Sequence, residues 1–117
     1  MADDIIDLPD VLERVQDDKE LLLELLDIFQ EDFMVKRQTL AEAVAQKDFA
    51  KIKEVAHSLK GASGNISAKA MRESFIKLEQ MGRSSDVSAG AELLSIIDRQ
   101  FIEFSERAAA LKKEFGK

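Results

Sequence analysis

The chain has 117 residues, enough for one hydrophobic core and too few for a two-domain enzyme, so the sequence is read as a single domain over 1–117. It has no cysteine, one proline, one histidine and a net charge of −6. That excludes disulfides and thiolate metal sites, and argues against nonspecific nucleic-acid binding, which needs a basic surface. No apolar run approaches the ~18 residues of a membrane span, and the acidic start MADDIIDLPD lacks the basic region of a signal peptide, so a soluble, cytoplasmic chain is expected.

Abundant Leu, Ala, Glu and Lys predict an all-α protein. The first predicted helix is short, Leu8 to Val15, with Asp7 placed to cap it and Pro9 tolerated in its first turn. After a turn at Gln16–Asp18, the longest helix runs to about Gln46. Its inward stripe is Leu22, Leu26, Phe29, Phe33, Leu40 and Val44, and Asp17 with Glu20 resembles a capping box. A second stripe, Leu21, Leu25 and Ile28, offers the short first helix something to cover.

Asp48 is placed to cap a third helix in which Phe49, Ile52, Ala56, Leu59, Ser63 and Ile66 step by three and four. The short connection before it makes the two helices antiparallel neighbours. A fourth helix starts near Ser67, turns Ala68, Met71, Phe75 and Leu78 inward, and ends around Gly82. The polar stretch GRSSDVSAG, residues 82 to 90, reads as a loop. The last helix keeps Leu94, Ile97, Phe101, Phe104, Ala108, Leu111 and Phe115 on one stripe. The expected architecture is an antiparallel up-and-down four-helix bundle with a short N-terminal helix covering one end.

Against this pattern, AHSLKGASGN, residues 56 to 65, puts two glycines close to the only histidine, inside a helix. Each glycine costs about 1 kcal/mol of helix propensity relative to alanine and needs a reason. On a helical wheel the inward stripe is centred ~140° from His57, so the imidazole points to solvent. Ala50, Lys53, Lys60, Gly61 and Gly64 fall within ~60° of it. Counting back from the turn near Lys47 sets position 57 opposite roughly position 37, which adds Met34, Val35 and Arg37 to the exposed patch.

A lone exposed histidine is most often a plain surface residue, the glycines could mark a helix end, and the lysines could be a solvated face. Metal binding is poorly supported, with one histidine and no cysteine, and Ser58 and Ser63 lack the array a serine nucleophile needs. Imidazole as a nucleophile fits better: its free pKa of about 6.5 leaves a ring nitrogen available at pH 7. Glycine on the next turn would admit a bulky partner, and lysine would offset incoming negative charge.

The stretch AHSLKGASGNISA, with an LxxLLxxF-like helix before it and LEQMGR after it, resembles the histidine-containing phosphotransfer (HPt) domain from about Ile6 to the last helix. The core of the resemblance is His-x-x-Lys-Gly at His57, Lys60 and Gly61. It implies that His57 accepts the phosphoryl group, Lys60 steadies its charge and Gly61 keeps the approach open. Asn65 and Ala68 fit the usual continuation, whereas Ser67 stands where many members have glycine and is read here as an N-cap.

The resemblance further implies a phosphocarrier without kinase or phosphatase machinery, consistent with the lack of a Gly-rich nucleotide loop. It would take phosphoryl from the aspartyl phosphate of one response-regulator receiver, fed by a hybrid histidine kinase, and pass it to another. Met34, Val35, Arg37, Lys53 and Gly64 would belong to the docking face. The bundle would hold no metal or cofactor; Mg²⁺ is expected on the receiver. Two alternatives stay open: a phosphoacceptor domain cut from a larger histidine kinase, and a helical adaptor that carries no phosphate.

Overall fold

A computed structural model of the chain describes residues 4–116. Five helices are present: α1 (Leu8–Arg14), α2 (Lys19–Gln46), α3 (Phe49–Asn65), α4 (Lys69–Ser84) and α5 (Gly90–Phe115), with no strand among the described residues. Helices α2 to α5 pack in a ring, each against its neighbours in sequence, and α5 closes back on α2. The bundle is therefore up-and-down, as the short connections require. At ~1.5 Å per residue, the 28 residues of α2 alone account for the 44 Å long axis.

The inward stripes build one core. Leu22, Leu26, Phe29, Phe33 and Leu40 of α2 meet Ile52, Ala56 and Leu59 of α3, Met71, Phe75 and Leu78 of α4, and Ile97, Phe104 and Leu111 of α5. Aromatic rings tie three of the helices together: Phe33 stands 4.3 Å from Phe101 and 6.2 Å from Phe75, and Phe29 lies 5.0 Å from Phe104. Several stripe members at the margins, Val44, Phe49, Phe101 and Phe115, are only partly buried.

The helix ends depart from expectation in instructive ways. Asp7 and Asp48 cap α1 and α3, accepting from the amides of Asp10 and Lys51. Asp18, not Asp17, caps α2, accepting from Leu21 N, because Gln16 and Asp17 are both left-handed (φ 55° and 61°) and form the turn before it. Ser67 is not an N-cap either. It is left-handed (φ 57°) and buried, and Ala68 occupies the cap position without a side-chain bond. A residue with positive φ is where glycine is least strained, which accounts for glycine as the alternative residue there. Helix α4 continues past Gly82 to Ser84, leaving a shorter connection, and Gly90 opens α5.

Helix α1 packs against α2, as expected, and is fastened as well to the turn between α3 and α4. Its cap residue Asp7 donates its amide to Ser67 O, Ser67 Oγ donates to Asp10 at 2.6 Å, and Lys69 pairs with Asp7 at 2.8 Å. These bonds fasten α1 to the α3–α4 turn. The second stripe of α2 is covered only in part: Leu21 and Ile28 are exposed, and Leu25 is half-buried against the core.

Candidate functional site

His57 lies in the middle of α3, on the face opposite Ile52, Ala56 and Leu59, and 66% of its side chain is exposed. The residue that organises it comes from the neighbouring helix. Glu79, on the core-facing side of α4 beside Phe75 and Leu78, has only 5% of its side chain exposed. A carboxylate so buried must be paired to remain charged. Lys60 Nζ donates to Oε1 at 2.9 Å, while Oε2 lies 2.8 Å from His57 Nδ1 and accepts from Arg83 at 3.2 Å.

The Lys60 ammonium does most to hold the Glu79 carboxyl down to about 2, against an ordinary 4.5; burial works the other way, and His57 and Arg83 add to the lowering. Glu79 is therefore ionised at neutral pH and has no proton to give. The proton in the 2.8 Å contact must sit on His57 Nδ1, which leaves the lone pair of the neutral ring on Nε2. Among the described residues no hydrogen bond reaches Nε2. The ring is oriented at one nitrogen and open at the other.

Neither glycine beside it is a left-handed helix cap, since no glycine has positive φ among the described residues; Gly61 lies inside α3 and Gly64 in its last turn. A Cβ at Gly61 would meet nothing within 4 Å, and one at Gly64 would only touch the Arg72 side chain at 3.4 Å. Both leave the approach to α3 unobstructed. Lys60 is brought to the site, with its ammonium on Glu79.

The other expected docking residues divide. Lys53 is exposed on α3, and Met34 and Val35 are exposed on α2, 67% and 71%. The antiparallel register is close to the one counted from the turn, for Lys36 Nζ donates to Ser58 Oγ at 2.7 Å. Arg37, however, turns away from α3. It is half-buried and forms a two-bond pair with Asp98 of α5, at 2.8 and 2.7 Å. Glu79 and Arg83 both lie in the LEQMGR stretch, and the sequence signal for the first is a glutamate four residues after Phe75 on an otherwise apolar stripe.

An exposed histidine, held at one ring nitrogen by a buried carboxylate, thus stands on a two-helix face of a helical bundle. The Hpt domain family model matches residues 24–114, and the chain belongs to that family. Its function is accordingly histidine phosphotransfer in the phosphorelays of two-component signalling. The fold is similar to that of histidine-containing phosphotransfer protein B (HptB) from Pseudomonas aeruginosa PAO1, with a TM-score of 0.87 and 23% identity over 98% of this chain and 99% of that one. Comparison with curated protein sequences returned no match.

Proposed function

We propose that His57 is the phosphoacceptor, taking phosphoryl from the aspartyl phosphate of a receiver domain and passing it to the aspartate of another. The observation that carries this reading is the contact of His57 Nδ1 with buried, ionised Glu79. In the forward step the Nε2 lone pair attacks phosphorus. The N–P bond forms as the P–O bond to the aspartyl carboxylate breaks, and its electron pair returns to that carboxylate. The ring becomes cationic but keeps its proton on Nδ1, hydrogen-bonded to Glu79, so no proton has to move in either direction. Lys60, and Arg83 beside it, supply positive charge next to the incoming phosphoryl oxygens.

HPt proteins are phosphocarriers that work with receiver domains. In our reading this chain likewise has no kinase or phosphatase activity of its own, a hybrid histidine kinase stands upstream, and the setting is cytoplasmic. The bundle takes no cofactor, and Mg²⁺ belongs to the receiver. Exposed Met34, Val35 and Lys53, with open Gly64, form the docking face.

Intact mass before and after incubation with a phosphorylated receiver tests the reading. One acid-labile phosphoryl adduct, absent from His57→Gln, is expected. An adduct that survives this substitution, or none with any receiver of the source genome, would sink it and favour an adaptor.

A further inference from the structure

Gly82 is buried in the last turn of α4. Its backbone is not left-handed, so glycine is not needed there for conformation, and it costs the helix about 1 kcal/mol relative to alanine. Its surroundings supply the reason. A Cβ at Gly82 would stand 2.9 Å from Lys53 N and from Phe49 O, and 3.1 Å from Lys53 Cα. These are backbone atoms of α3, and N and O are the two ends of one α-helical i→i+4 pair, which cannot swing aside as a side chain would. Any other residue would force the two helices apart by about 0.5 Å to reach ordinary contact.

This close approach lies next to the phosphotransfer site. Lys53 is one turn before His57 in α3, and Glu79 is one turn before Gly82 in α4. With the helices antiparallel, Gly82 against Lys53 and Glu79 against His57 are successive contacts along one interface. Helices are stiff over a single turn, so a displacement at the first contact reaches the second. There the bonds of 2.8 and 2.9 Å would lengthen toward the range where hydrogen bonding fails.

We infer that Gly82 is a positioning residue for phosphotransfer: its missing side chain sets the α3–α4 separation at which Glu79 reaches His57. The inference rests on His57 being the phosphoacceptor.

The test is a cycle of wild type, Gly82→Ala, Glu79→Gln and the double variant. Two readouts are followed: ring ¹⁵N shifts of His57, and the rate of phosphoryl uptake at saturating receiver. In Gly82→Ala the ring should lose its preference for the Nδ1–H tautomer and uptake should slow about tenfold, the worth of roughly one hydrogen bond. Adding Gly82→Ala to Glu79→Gln should change uptake less than about twofold, because the route through Glu79 is already gone. An equal loss in both backgrounds, or an unchanged tautomer, would overturn the inference.

Should Gly82→Ala not fold, Glu79→Asp withdraws the carboxylate by one methylene with the helices in place. It should give the same tautomer shift and slow uptake, and wild-type behaviour would count against the proposed spacing. The parent reading fails separately, if wild type takes no phosphoryl on His57.

Discussion

Glu79 reaches His57 across the α3–α4 interface, with Oε2 2.8 Å from Nδ1, and the two side chains lie at opposite extremes of exposure. The carboxylate does its work from the core side and the imidazole from the solvent side. Orientation and access are thus divided between two helices, and each can be tested by itself.

Replacing His57 with glutamine should abolish phosphoryl acceptance and change stability by no more than about 1 kcal/mol, because the side chain is largely exposed and Glu79 keeps Lys60 and Arg83. Thermal melts and intact mass on the same protein check both halves. A large loss of helicity would make His57 a structural residue.

Acid should weaken the fold through Glu79. Its folded carboxyl is held at about 2, below the ordinary 4.5, so the folded state binds a proton less readily than the unfolded one. The contribution is full above about 4.5 and fades as pH falls toward 2. Glu79→Gln should reduce the difference in urea stability between neutral and acid pH, leaving a weaker slope from Asp7 and Asp10, which hydrogen bonds to Lys69 and Ser67 also hold low. An undiminished slope in the variant would contradict this.

Lys60→Ala should slow transfer within the receiver complex about tenfold or more and weaken docking less, since its ammonium shares the Glu79 carboxylate with the proposed acceptor His57. Uptake rates over a range of receiver concentrations separate the two effects. Weak binding with a normal maximal rate would make Lys60 a docking residue.

Gly61→Gln should raise stability by several tenths of a kcal/mol, because the glycine has an ordinary helical φ and open space around its missing Cβ. It should also impair transfer by placing a side chain in the approach to His57. A less stable variant that transfers normally would show that the glycine shapes the backbone.

Ser67 combines a left-handed backbone with a hydroxyl bonded to Asp10. Ser67→Ala loses the bond and keeps the strain, whereas Ser67→Gly loses the bond and relieves it. The glycine variant should be the more stable of the two by about 1 kcal/mol, with phosphoryl uptake unaffected in both. Equal melting temperatures would contradict the strain at this turn.

Helix number, order and inward stripes were legible because the apolar positions recur at helical spacing through α2 to α5. The turns were harder to read. Two adjacent aspartates, Asp17 and Asp18, compete for one cap, and only the left-handed φ of the first decides between them. Ser67 has the chemistry of a cap and the backbone of a glycine. The histidine's exposure followed from the wheel, but its partner lies 22 residues away on another helix. The cross-helix reach of Arg37 to Asp98 is likewise a tertiary choice that spacing within α2 cannot express.

Among the described residues, every hydrogen-bond partner of Glu79, and Glu79 itself, lies between Phe49 and Ser84, in the α3–α4 hairpin. That hairpin is also the most extensively packed pair of helices in the bundle. Such locally connected units form early and open late, because little loop entropy separates their contacts. Amide exchange should therefore be slowest across α3 and α4, and fraying of α1 or of the far end of α5 should leave the phosphotransfer face assembled. Attachments at either terminus would then load the parts of the molecule on which the chemistry depends least.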